Sequence, residues 1–280
     1  GKRSFTQAVF QLGGNAGTAL APLLVIMVVF TKKIVDGQLV EESHLERLVW
    51  FVLFPALAIV ILLFIGAWRK KLLKQAQTLK KREIPLPDLT HAQVRNSVII
   101  LMFLVFSKNF YTAGISNYFQ FYTIKTFGFT NAEAQLYLFY YLGAAAAGTL
   151  IGGFFGDRVG RKFIIWFSIL GAAPFALWLP YADAKTTAVL VVLIGFIISS
   201  AFASILVYAQ ELLPKKIGMI SGVFYGFAFG MAGLGSAVLG KLIDMTSITF
   251  VYKVCSFLPL MGLTAYFLPN LRKVKTKLSE

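Results

Sequence analysis

Runs of apolar residues about as long as the ~20 residues a helix needs to cross a ~30 Å hydrocarbon layer follow one another along this chain. Eight can be drawn, near residues 5–30, 48–67, 97–122, 134–155, 162–181, 186–208, 217–240 and 248–268. With 58% hydrophobic and only 14% charged residues, the chain is too apolar for a soluble domain. The runs are continuous rather than alternating in segments of about ten, which excludes a membrane barrel. An all-α membrane protein with eight transmembrane helices is therefore expected.

The net charge of +15 could suggest a nucleic-acid partner, but the placement of the bases explains it otherwise. If the first residues lie in the cytoplasm, 19 of the 27 Lys and Arg fall on that side and 7 on the other, with Lys108 inside a span. This is the positive-inside bias of a membrane protein, so both ends are expected to be cytoplasmic and no nucleic acid is needed. Cys255 is the single cysteine, which excludes an intrachain disulfide and leaves the compartment unread.

The longest polar stretch, 69–94, carries Arg69-Lys70-Lys71, Lys80-Lys81-Arg82 and Pro85-Leu86-Pro87. It divides two spans from six and is read as a solvated basic linker, with an amphipathic surface helix as the alternative for its first part. The expected domains are 1–68, the last two helices of one six-helix bundle; the linker 69–94; and 95–280, a second six-helix bundle with a short tail. On this plan four helices precede Gly1 in a longer chain, and a site lies near the midplane between two halves.

Small residues recur at helical spacing in three spans: Gly13, Gly14 and Gly17; Gly143, Gly148, Gly152 and Gly153; and Gly222, Gly226 and Gly230. Such faces admit a neighbouring backbone closely, either as fixed packing or as surfaces on which bundles rock. Lys108 is the most pointed residue. An ammonium deep in hydrocarbon is kept only beside a partner or water, and Lys108 sits about 16 Å into its span, counted from Ser97 at about 1.5 Å per residue. Tyr111, Thr112 and Tyr122 share its side of the helix. The face reads as a cavity wall that receives an anion, or as half of an ion pair whose carboxylate lies outside this sequence. Glu211, at the inner end of the sixth span, could titrate or could close a helix-end salt bridge. His44 and His91 are placed in loops on opposite sides, and no carboxylate pair, metal-ligand cluster or phosphate-cradling glycine loop points to an enzyme or a cofactor.

Between the fourth and fifth runs stands Gly153-Phe154-Phe155-Gly156-Asp157-Arg158-Val159-Gly160-Arg161-Lys162, a charged hairpin at one membrane surface. It resembles the signature loop of the major facilitator superfamily, with Phe155 where that family usually has Leu. Gly160 would allow the tight turn, and Asp157 would cap a helix end and pair with bases. Further stretches, Phe10-Gln11-Leu12-Gly13-Gly14-Asn15, Ser107 to Tyr118, Ala201 to Pro214 and Gly226 to Gly235, are similar to the fosmidomycin resistance protein family of bacterial inner membranes. The family's frequent Gly-Pro pair in the fifth span appears here as Ala21-Pro22.

The resemblance implies a superfamily-type helical bundle of twelve helices, eight of them present. It also implies export of a small anionic phosphonate in exchange for protons by alternating access. The expected partners are that anion, protons, the lipid bilayer and the four preceding helices. Lys108 would attract the anion, helped by Tyr111, Tyr118 and Tyr122, with Gln11 and Asn15 facing the same cavity. Asp157, Arg158, Gly160, Arg161, Lys162 and Glu211 would latch the inner side. An exporter of apolar or cationic drugs, and a non-transporting receptor or assembly partner, remain open.

Overall fold

Apolar length alone sets the main elements, because in hydrocarbon every backbone N–H and C=O must be satisfied within its own helix. The computed structural model describes residues 3–35, 38–76, 89–269 and 271, and its eight long apolar segments fall on the eight expected runs. The linker residues 77–88 and the tail beyond 271 lie outside the described residues. Two compact units are distinguished, Gly1–Leu23 with Leu86–Glu280, and Leu24–Pro85.

Within the larger unit, α1 (Arg3–Val29) leads to α3 (His91–Phe127), α4 (Asn131–Arg158) and α5 (Arg161–Leu170). Then follow α6 (Ala173–Trp178), α7 (Ala184–Ser199), α8 (Phe202–Leu212), α9 (Ile217–Met245), α10 (Ile248–Cys255) and a 3₁₀ segment, Leu258–Phe267. The fifth span is α5 and α6 together, and the sixth is α7 and α8. The latter pair breaks at Ser200, whose hydroxyl donates to the Ile197 carbonyl at 2.7 Å.

Capping chemistry fixes two helix starts. Thr90 and Gln93 form a reciprocal capping box at α3, and Thr130 and Glu133 form another at α4. His91 is consequently the first residue of α3, not part of a loop as expected. Gly128 ends α3 with φ 69° and Gly160 precedes α5 with φ 121°, two backbone conformations that favour glycine.

The smaller unit holds an element that departs from an all-α chain: β1 (Phe30–Val35) pairs antiparallel with β2 (Gln38–Ser43), Val35 opposite Gln38. After His44, a 3₁₀ stretch, Leu45–Val52, enters α2 (Leu53–Ala76), whose Leu57, Leu62, Leu63 and Phe64 stay exposed. Exposed leucine and phenylalanine at these positions suit lipid as the solvent.

Two clusters form the core of the larger unit. One packs Tyr111, Ile115, Phe119 and Tyr122 of α3 with Tyr141, Ile194 and Tyr252. The other packs Leu101, Leu104 and Val105 with Ile165, Ile205, Tyr208 and Phe224. The sixth span is the most enclosed, with 67% of its most apolar stretch buried against 17% for α1 and for α9.

Glycine decides how α4 meets the sixth span. A Cβ on Gly148 would overlap the backbone of Phe196, on Gly152 that of Ser200, and on Gly156 the Ser204 hydroxyl. Both partners advance by four residues, so two parallel helices share one register along a smooth seam. On its other side α4 meets α1, where Gly153 faces Ala8 and the Ser4 carbonyl. The other two glycine rows differ from the expectation of close backbone approach. Among the described residues nothing lies within 4 Å of a Cβ built on Gly13, Gly14, Gly17, Gly222, Gly226 or Gly230. Spacing marks a smooth face but cannot say whether a neighbour fills it.

Candidate functional site

The charged hairpin forms a network at the end of the bundle where α4 stops, α5 starts and α1 begins. Asp157 accepts from two backbone donors of the first turn of α1, Ser4 N–H at 3.1 Å and Phe5 N–H at 2.9 Å. These are among the donors a helix start leaves unsatisfied, so one carboxylate caps a helix from another part of the chain. Arg161 binds three groups: Asp157 Oδ1 at 3.1 Å, Glu211 Oε2 at 2.5 Å and the Ser4 hydroxyl at 2.9 Å. Arg3 stands 3.9 Å from Glu211.

Asp157, Arg161 and Glu211 are largely enclosed, so the network is a buried ion triad whose members depend on one another. Gly160 supplies the turn that brings Arg161 back towards Asp157. Two bases of the hairpin lie outside the triad: Arg158 rests over the Phe154 ring at 4.1 Å, and Lys162 donates to the Tyr266 carbonyl at 2.8 Å. A cleft of about 620 Å³ opens here, lined by Arg3, Asp157, Arg161, Lys162, Glu211 and Tyr266 among others.

Lys108 lies half-way along the 37-residue α3 and is buried, with 7% of its surface exposed. Among the described residues no carboxylate stands within 4.0 Å of it, and its ammonium rests over the Phe202 ring, 5.0 Å from the centroid. Phe202 meets the Tyr225 ring edge-on at 5.5 Å. The Tyr225 hydroxyl in turn accepts from the amides of Gln7, at 2.7 Å, and Gln11, at 3.1 Å. An aromatic pair thus joins the cation of α3 to two amides of α1.

The other expected site residues go elsewhere. Tyr111 and Tyr122 sit in the aromatic core, with Tyr122 stacked on Tyr252 at 4.3 Å. Tyr118 donates to the Ser236 carbonyl at 2.6 Å in the seam between α3 and α9. The helical angle places Tyr122 on the side of Lys108, but fourteen residues separate them by about 21 Å of rise. One face is not one site. Gln11 and Asn15 also part company, since Asn15 donates to the Thr149 hydroxyl of α4 at 2.8 Å. Gln7, Phe202 and Tyr225 are the members that sequence reasoning passed over. Gln7 is four residues before Gln11 on the same helix face, a signal that was present, whereas Phe202 and Tyr225 look like ordinary apolar and aromatic filling. Among the described residues no group of three or more His, Cys, Asp or Glu is placed to hold a metal.

Among the described residues, eight segments long and apolar enough to cross a membrane, a charged hairpin closed by a buried ion triad and a buried cation in mid-helix define a multi-pass helical membrane protein. Comparison with known proteins narrows the class. The Major Facilitator Superfamily model matches residues 1–237, and the chain belongs to that superfamily.

The chain is 51% identical over 276 residues to the fosmidomycin resistance protein of Escherichia coli (strain K12), covering 97% of this chain and 64% of the relative. To YfnC, an uncharacterized MFS-type transporter of Bacillus subtilis (strain 168), it is 37% identical over 277 residues, covering 98% and 65%. The crystal structure of the E. coli fucose:proton symporter FucP matches with a TM-score of 0.65 over 95% of this chain and 69% of that one. At 15% identity that likeness is one of fold. The chain spans just under two thirds of the length of the curated relatives it matches. The resemblance carried by the hairpin and by the stretches around Lys108 is borne out.

Proposed function

We propose that this chain belongs to a secondary carrier that exports a small organic anion, a phosphonate of the fosmidomycin kind, by proton antiport and alternating access. Lys108 is the observation that carries the reading. A buried ammonium held over an aromatic ring, with no carboxylate within 4.0 Å among the described residues, is suited to an anionic guest. The name of the relative at 51% identity supports a phosphonate as that guest. The same cation disfavours an exporter of cationic drugs, because like charges in a low-dielectric cavity repel strongly.

In this reading residues 1–68 complete one six-helix bundle, 69–94 link it to the next, and 95–280 form the second. The membrane is a bacterial inner membrane with both ends of the segment in the cytoplasm, a placement that the distribution of bases supports. The triad of Asp157, Arg161 and Glu211 is the inner latch. It ties α1 to α4 and α8, and it must come apart when the inner side opens. Four further helices complete the cavity and provide groups for proton coupling.

In the intact gene product, Lys108→Ala should abolish resistance of cells to fosmidomycin at unchanged membrane abundance, while Lys108→Arg retains part of it. Equal resistance for wild type and Lys108→Ala would sink the anion site. Proteoliposomes with an imposed pH gradient test the coupling, and absence of gradient-dependent phosphonate movement would eliminate antiport.

A further inference from the structure

Two amide donors that converge on one oxygen make an arrangement that also suits an anion. Gln7 and Gln11, one turn apart on α1, both donate to the Tyr225 hydroxyl, at 2.7 and 3.1 Å. Tyr225 is half-buried, and so are both glutamines. Gln7 also lines an open cleft of about 330 Å³ with Arg3, Thr6, Val207 and Gln210, so a small molecule has room to reach it. On α9 a Cβ built on Gly222 or Gly226, one turn before and one residue after Tyr225, meets nothing within 4 Å among the described residues.

We propose that Gln7 and Gln11 form an oxyanion-binding pair, occupied here by the Tyr225 hydroxyl, which an anionic oxygen of the exported molecule displaces. The proposal rests on the anion-export reading and adds what the anion exchanges with. Hydrogen bonds to an ionised acceptor are roughly twice as strong as those to a neutral hydroxyl, so a phosphonate or carboxylate oxygen outcompetes the phenol. The depths agree. Gln7 and Gln11 lie about 6 and 12 Å from the start of α1, and Tyr225 about 12 Å from the start of α9, at about 1.5 Å per residue. Phe202, shared by Tyr225 and Lys108, continues the path towards the middle of the membrane. An anion drawn from the inner cleft meets the glutamine pair first and Lys108 next. Its arrival removes the hydrogen bonds that hold α9 to α1 at this level, so binding and release of a helix contact become one event.

The test is a titration of fosmidomycin against the intact gene product in phosphatidylcholine nanodiscs, comparing Tyr225→Phe with the double variant Gln7→Leu/Gln11→Leu. Both remove the same hydrogen bonds, so a purely structural tether moves affinity in one direction for both. Exchange moves it in opposite directions. Tyr225→Phe frees the amides and should tighten binding about fivefold, whereas the double variant loses them and should weaken it about tenfold. Gln11→Leu alone serves if the double variant does not elute as the wild type does. Changes of the same sign, or none, overturn the exchange. Lys108→Ala in the same assay separates the two ideas: opposite signs at the glutamine pair with no effect of Lys108→Ala sink the Lys108 site and leave the exchange standing. Failure of the wild type to bind fosmidomycin sinks both. If the variants alter fosmidomycin affinity only when phosphatidylglycerol is added to the discs, the displacing oxyanion is a lipid headgroup and the ligand assignment is overturned.

Discussion

The glycine rows of α4 and α9 have the same spacing and opposite fates. On α4, Gly148, Gly152 and Gly156 are filled by Phe196, Ser200 and Ser204 of the sixth span, close enough that no side chain fits. On α9, Gly222, Gly226 and Gly230 meet nothing within 4 Å among the described residues. A four-residue glycine repeat therefore makes a helix face smooth without deciding whether it is a seam or a free surface. Only the partner decides, and the partner of α4 is the most enclosed span of the chain.

Substitution breaks or sharpens this contrast. Gly152→Val should have the largest effect: a branched side chain against the backbone of Ser200 forces α4 and the sixth span apart, at a cost of about 3 kcal/mol or more, or prevents folding. Thermal unfolding in detergent measures it, and a stability within about 0.5 kcal/mol of wild type would show that the seam yields. Arg161→Met should cost about 3 kcal/mol in the same assay, because it leaves the Asp157 and Glu211 carboxylates enclosed without their shared cation. Asp157→Ala should be milder, about 1 to 2 kcal/mol, because it removes the cap on Ser4 and Phe5 and one carboxylate of Arg161, which keeps Glu211.

At the small end, Gly226→Ala should be neutral or stabilise by up to about 1 kcal/mol, the helix-propensity gain, if the α9 face stays open. A clear loss of stability in the intact gene product would mean that a further helix covers this face, and the contrast with α4 would become one of partner identity alone.

Much of the fold is legible because its signals are local. Hydropathy over about twenty residues placed all eight spans. Gly160, between an acid and two bases, marked a turn, and its φ of 121° bears this out. The capping boxes Thr90–Gln93 and Thr130–Glu133 and the pairing of β1 with β2 were not among the expectations, although the four-residue spacing of each box stands in the sequence. Lys108 stood out because a charge inside a long apolar run is conspicuous.

The site around Lys108 was legible only in part. Angle around a helix grouped Tyr111 and Tyr122 with Lys108, but depth and neighbours assigned them to the aromatic core. Tyr225 and Gln7 lie 218 positions apart, and nothing in either local sequence names the other. Phe202 was indistinguishable from a packing residue until the ammonium was found above it.

The sequence by itself determined that this chain crosses a membrane with eight helices, where its charged turn lies and which side the bases favour. These follow from the energetics of putting backbone and charge into hydrocarbon, and each is decided within a few turns of chain. The tertiary structure decided which glycine row is filled, that Asp157 caps α1, and that Lys108 faces an aromatic ring joined to two glutamines. Those outcomes depend on which helices come to lie side by side, a question of complementary surfaces brought from distant parts of the chain.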